Sequence, residues 1–185
     1  MQNFQEFLEN SLQQNIKKLV PLTGGASADI NRIILENNNE LIVRRSLSKE
    51  QSVMAVPKKL EAKIQRIVRS NDAPVPEIIF EFSENEDIGE GYVMEAIPGE
   101  TIPRKILRDD KYKNVRSKLS FEIGRSLATI HQTKLDELTD LDSVTFEESL
   151  KKLYLVYSSF EQPQPVFELA FKWLETQELT KYDNV

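Results

Sequence analysis

The sequence contains no cysteine, so disulfides, thiolate nucleophiles and cysteine-based metal sites are excluded. Its single histidine, His131, rules out a multi-histidine metal centre and a zinc-protease His-Glu-x-x-His helix. No apolar run approaches the ~18–20 residues of a membrane-spanning helix. The opening residues, Met1-Gln2-Asn3-Phe4-Gln5-Glu6, have neither the basic nor the apolar segment of a secretory signal. Positive charge is also in short supply. Lys and Arg number 24 against 30 Asp and Glu, a net charge of -6, so there is no broad basic footprint for nucleic acid. Arg66 and Arg69 form only a short basic cluster, which reads as a solvated helix face. Six glycines and eight prolines are too few for a fibrous or low-complexity chain. The expected class is a soluble, cytoplasmic protein with no nucleic-acid or membrane partner.

At 185 residues, 39% of them hydrophobic, the chain can build one ordinary core, or one small lobe and part of another. Phe4, Phe7, Leu8 and Leu12 fall at helical spacing and predict a short helix over 3–14. Strands are expected at 16–22, 29–35 and 41–44, joined by the small-residue turn Thr23-Gly24-Gly25-Ala26-Ser27 and the polar turn Glu36-Asn37-Asn38-Asn39-Glu40. Asparagine tolerates the left-handed backbone that such a turn requires. A helix follows over 57–70, with Leu60, Ile64, Ile67 and Val68 as its apolar stripe. Ala73-Pro74-Val75-Pro76 ends it. Two more strands are predicted at 77–82 and 91–97. Pro98-Gly99 then breaks the pattern and is the candidate hinge.

Beyond the hinge the periodicity turns helical. Leu119, Ile123, Leu127 and Ile130 mark a helix expected to be buried, with Gly124 and Ala128 leaving room for a neighbour. Thr145 and Glu148 have the spacing of a capping box. Its helix carries Leu150, Leu153, Tyr154 and Tyr157. Pro165 opens a last helix with the stripe Phe167, Ala170, Phe171 and Leu174. Strands followed by helices indicate an α+β arrangement: a five-stranded antiparallel sheet with one inserted helix, then an all-α segment.

Four features could carry chemistry. Gly24, Gly25, Ala26 and Ser27 sit between two antiparallel strands. They match neither a Walker A loop nor Gly-x-Gly-x-x-Gly, yet such a turn can offer backbone amides to phosphates, or be a plain hairpin turn. Arg44 ends the third strand on the same face as Ile42, with Arg45 on the other face. A cation there could meet nucleotide phosphates, or simply lie exposed. Glu61 falls at the edge of the helix stripe, where a carboxylate needs a partner, and Arg44 is the natural one. Finally, Gly91-Tyr92-Val93-Met94-Glu95-Ala96-Ile97-Pro98-Gly99 runs an apolar strand into a break whose backbone could read an adenine edge, with Met94 lining the pocket.

The order of these features is that of the ATP-binding lobe of a kinase. Leu22-Thr23-Gly24-Gly25-Ala26-Ser27, Leu41-Ile42-Val43-Arg44-Arg45, Val75-Pro76-Glu77-Ile78-Ile79, the run from Gly91 to Gly99, and Ile123-Gly124-Arg125-Ser126-Leu127-Ala128-Thr129-Ile130-His131 together resemble the aminoglycoside-phosphotransferase-like enzymes. The nearest likeness is to the branch associated with acyl-CoA dehydrogenase-related phosphotransferases. The resemblance implies a protein-kinase-like fold, with residues 1–97 as a nucleotide-binding N-lobe and 98–185 as the hinge and a partial, helical C-lobe. It implies transfer of the ATP γ-phosphate to a hydroxyl of a small molecule. By position, Gly24 to Ser27 would cover the phosphates and Arg44 would stand where many relatives have lysine, paired with Glu61. The Glu95 carbonyl and the Ile97 amide would meet adenine. Relatives carry a His-Gly-Asp catalytic loop, an Asn a few residues on, and a later metal-binding Asp, all after the stretch that corresponds to residue 185. No His-Gly-Asp occurs here, and His131 is followed by Gln132-Thr133. The expectation is therefore a chain truncated before its catalytic loop. It would have no catalytic residues or Mg²⁺ ligands of its own and would be inactive alone. It would act as a nucleotide- or protein-binding module or as one half of a split kinase. A complementary C-lobe chain or a second copy would then dock on exposed helices, through Trp173, Phe171 and Leu174. His131 reads as a helix-terminal packing residue.

Overall fold

The computed structural model describes residues 4–22, 29–47, 56–83, 87–139, 141 and 144–177. The chain forms two compact units, Met1–Leu138 and Thr139–Val185.

The first unit is built on five antiparallel strands: β1 (Ile16–Pro21), β2 (Asp29–Leu35), β3 (Glu40–Ser46), β4 (Ile78–Ser83) and β5 (Glu90–Glu95). Their order across the sheet is β1-β2-β3-β5-β4. The first three form the expected meander. Asn38, in the β2–β3 turn, takes the left-handed backbone foreseen for this stretch, at φ 62°. Helix α2 (Lys58–Ser70) carries the chain to the far edge, so β5 returns to pair with β3 and becomes an interior strand. This is the α+β, kinase-like architecture expected, with element ends shifted by a residue or two.

Strand alternation sends side chains to two separate cores. On one face, helix α1 (Phe4–Leu12) lays Leu8 over Ile33, Leu35, Val43, Phe82, Ile88 and Val93. Leu8 is fully buried and contributes roughly 1.5–3 kcal/mol by leaving water. Phe7 meets Phe82 edge-on, with ring centroids 5.2 Å apart. The α1–β1 connection is tied by Glu9. Its carboxylate accepts from the Ile16 amide at 3.0 Å and from Gln5 Nε2 at 3.1 Å, and it is held below the usual range first by the Ile16 bond and then by Gln5.

On the other face, α2 packs Ala62 against Ile78, Tyr92 and Met94. The expected stripe is corrected here. The deepest positions of α2 are Lys58, Ala62 and Val68, while Leu60, Ile64 and Ile67 are half-buried. A helix lying close on a sheet needs a small residue at the contact, and Ala62 is that residue. Arg66 and Arg69 do lie on the exposed side, facing Glu81 at 3.4 Å and Glu77 at 3.5 Å.

After β5 come α3 (Pro103–Arg108), a 3-10 turn at Asp110–Tyr112 and α4 (Lys113–His131). Helix α4 was expected to be buried and is not. None of its residues is buried, and Ile123 and Leu127 are about half exposed. A Cβ placed on Gly124 would meet nothing within 4 Å, so no neighbour uses the room that residue leaves. Periodicity shows that a helix has an apolar face, and it cannot say what covers that face. Among the described residues α4 packs mainly on α3 and the 3-10 turn.

In the second unit, α5 (Phe146–Ser159) and α6 (Pro165–Glu175) form a helical pair. The capping box is present. Thr145 Oγ1 accepts from the Glu148 amide at 3.2 Å, and the Glu148 carboxylate accepts from the Thr145 amide at 2.9 Å. Phe171 is buried between Tyr154 and Tyr157, with centroids 5.0 Å and 5.4 Å away, so it is spent inside this pair. Trp173 is exposed, as expected, and Leu174 is half-buried. No helix among the described residues is long and apolar enough to cross a membrane.

Candidate functional site

Alternation along β3 puts Ile42 and Arg44 on the α2 face and Val43 and Arg45 on the α1 face. Arg45 is used structurally. Its Nε donates to Asp29 at 2.7 Å, and its guanidinium lies 3.5 Å from the centroid of the Phe4 ring. Arg44 turns the other way and meets Glu61, with Nε 3.2 Å from Oε1 and 3.4 Å from Oε2. The pair expected from the sequence is formed between β3 and the first turn of α2.

Two further residues join it. Lys58 lies three positions before Glu61, which brings both to one side of the helix. Its Nζ donates to Glu61 Oε2 at 2.8 Å, and the residue is only 7% exposed. Tyr92 stands directly across from Arg44 in the β3–β5 ladder and is 2% exposed. Burial pushes its phenol up to about 12, the Glu61 charge and the hydrogen bond to that carboxylate act in the same direction, and Arg44 opposes them. Tyr92 is therefore neutral beside Glu61. Among the described residues, two cations and one carboxylate give this cluster one excess positive charge.

Neither Lys58 nor Tyr92 was singled out from the sequence. The i,i+3 spacing of Lys58 and Glu61 was there to be read. So was the alternation that sets Tyr92 and Met94 on one face of β5.

The remaining candidates occupy neighbouring positions. Met94 is half-buried beside Ala62 and Ile78, with Gln65 Nε2 3.9 Å from its sulfur. The Glu95 carboxylate accepts from the Glu77 amide at 3.3 Å and lies 4.0 Å from Arg69. Ile97, just past β5, is 58% exposed. Gly24, Gly25, Ala26 and Ser27 lie outside the described residues. His131 ends α4 with an exposed side chain, which corrects its reading as a packing residue. Asp136 is exposed, and no cluster of His, Cys, Asp and Glu among the described residues could hold a metal ion. A separate, mostly apolar concavity of about 580 Å³ lies within the α5–α6 pair, lined by Phe146, Leu150, Tyr154 and Phe171 among others.

An ion pair from the third strand to the inserted helix, on a five-stranded antiparallel sheet, is the frame of a kinase-like N-lobe. A model of the phosphotransferase enzyme family matches residues 18–180. The chain belongs to the phosphotransferase enzyme family. The match is to the family as a whole and assigns no acyl-CoA dehydrogenase-related branch. No curated protein matches the chain. In this phosphotransferase-family chain, all five strands except the first two residues of β1 fall inside the matched range, as do Arg44, Lys58, Glu61 and Tyr92.

Proposed function

We propose that the sheet unit binds ATP with its Mg²⁺, as the nucleotide-binding part of a phosphotransferase that acts on a hydroxyl of a small molecule. The observation that carries this reading is the Arg44–Glu61 ion pair, 3.2 Å long and joined by Lys58. A polyanion needs cations whose positions are fixed before it arrives, and a shared carboxylate fixes both. The excess positive charge of the cluster fits the phosphates. Arginine in place of lysine presents a planar fork rather than a point charge, so it suits two oxygens at once. Met94 would line the adenine pocket, with the Glu95 carbonyl and the Ile97 amide at its edge and Gly24 to Ser27 over the phosphates.

Phosphoryl transfer also requires a carboxylate that orients the acceptor and side chains that hold Mg²⁺. The 185 residues contain no His-Gly-Asp loop. The polypeptide of these residues is therefore expected to bind nucleotide without turning it over. Titration with Mg²⁺ and ATP in a thermal melt tests the binding. At a concentration of about 100 times Kd, ATP should add about 2.7 kcal/mol of stability. No shift at millimolar ATP would refute nucleotide binding, and robust ATP turnover with hydroxyl substrates would refute inactivity.

A second reading, one half of a two-chain kinase, is favoured by the exposed apolar side chains of the helices, Phe121 at 71%, Leu155 at 69% and Leu169 at 70%. Co-purification with a chain bearing the catalytic loop would support it. A strictly monomeric protein that captures no such chain would count against it.

A further inference from the structure

We propose that Lys58 is a phosphate-binding residue, a second cation supplied by α2 beside the Arg44 of β3. This rests on the nucleotide-binding reading above and goes further, because a family-type site needs only one strand cation and its helix glutamate.

Three observations point to it. Lys58 is 7% exposed, and an ammonium so placed is costly unless it is paired. Its partner Glu61 is already engaged by Arg44, so among the described residues one carboxylate answers two cations. Lys58 is also the first residue of α2, where the helix dipole is positive and a cation is least welcome. Glu90 takes the neighbouring Lys59 amide at 2.7 Å, which offsets the helix end in part, and among the described residues the ammonium is paired with Glu61. A lysine kept only to steady the first turn would sit better as an uncharged residue. An arriving phosphate accounts for the charge. Among the described residues it adds a second anion to a cluster of two cations and one carboxylate, and an ammonium has three hydrogens to share between Glu61 and a phosphate. Tyr92, buried beside Arg44 in the β3–β5 ladder, adds no competing charge.

The test is calorimetric titration of the full chain with ATP, ADP and adenosine in the presence of Mg²⁺. Lys58→Met, which keeps the length and removes the charge, should weaken ATP about tenfold or more and leave adenosine unchanged. Lys58→Arg should hold ATP within about threefold, which keeps the test decisive if the methionine variant folds poorly. An equal loss for ATP and adenosine would assign Lys58 a structural role and overturn the proposal, as would unchanged ATP affinity in Lys58→Met. If the wild-type chain binds ATP and the variant binds it equally well, this inference alone fails. If the wild-type chain binds none of the three, the nucleotide reading fails and takes this one with it.

Discussion

Gly91→Ala should damage the sheet at the point where the site is anchored. Gly91 lies in β5 opposite Arg45 on one side and Phe82 on the other. A Cβ there would stand 2.5 Å from the Arg44 carbonyl oxygen, 2.6 Å from Phe82 Cζ and 2.8 Å from Arg45 Cβ. Carbon atoms are comfortable at about 3.5–4.0 Å, so the deficit is near an ångström on three sides. None of the three can step aside cheaply. The oxygen is backbone in the middle of the β3–β5 ladder, Arg45 is held by Asp29 and Phe4, and Phe82 is buried against Phe4, Phe7 and Phe80. Overpacking of this kind costs about 1–3 kcal/mol, and in a unit of this size it should lower the melting temperature by roughly 3–12 °C. Circular dichroism melts give the loss, and hydrogen exchange should locate it in β3 and β5. The matched control is Gly124→Ala in α4, where nothing lies within 4 Å. There the methyl only removes backbone freedom, and about 0.5–1 kcal/mol should be gained. A Gly91→Ala protein that melts with the wild type, or a Gly124→Ala protein that loses as much as Gly91→Ala, would refute the reasoning.

Two further outcomes follow from single groups. Tyr92 is protonated up to about 12 when folded and to about 10 when unfolded, so its contribution is complete below pH 10 and is lost between pH 10 and 12. Denaturant titrations across that range should show a fall of about 2–3 kcal/mol that Tyr92→Phe abolishes, and an equal fall in the variant would refute the assignment. Thr145→Ala removes one half of the α5 capping box and should cost about 1 kcal/mol, seen as faster amide exchange in the first turn of α5 with the sheet unaffected.

Much of the sheet unit was legible because its signals are local. The Asn-rich turn, the alternation in β2 and β3 and the proline stop after α2 each act over a few residues, and each strand fell within a residue or two of its expected place. The helices after β5 were legible as helices and misread as to burial. An apolar stripe such as Leu119, Ile123, Leu127 and Ile130 states a demand for a partner, and the sequence spacing contains no term for whether the partner is present. Phe171 shows the same limit from the other side. Its stripe position matched that of exposed neighbours, and only the approach of Tyr154 and Tyr157 buries it.

The candidate site divides along the same physical line. Arg44 and Glu61 could be joined in advance because strand alternation assigns the face of one and helix period places the other at the stripe edge. Lys58 escaped because a lysine at the start of an amphipathic helix ordinarily points to water, and its burial depends on how closely α2 lies on the sheet. That distance is set by Ala62 against Tyr92, a contact between residues 30 positions apart. The small side chain lets the helix down, the lowered helix brings Glu61 to Arg44 and buries Lys58 beside them, and the cluster acquires its second cation. The charge of the site is thus a consequence of core packing one turn away. A bulkier residue at position 62 would lift α2 and separate the pair without touching either partner.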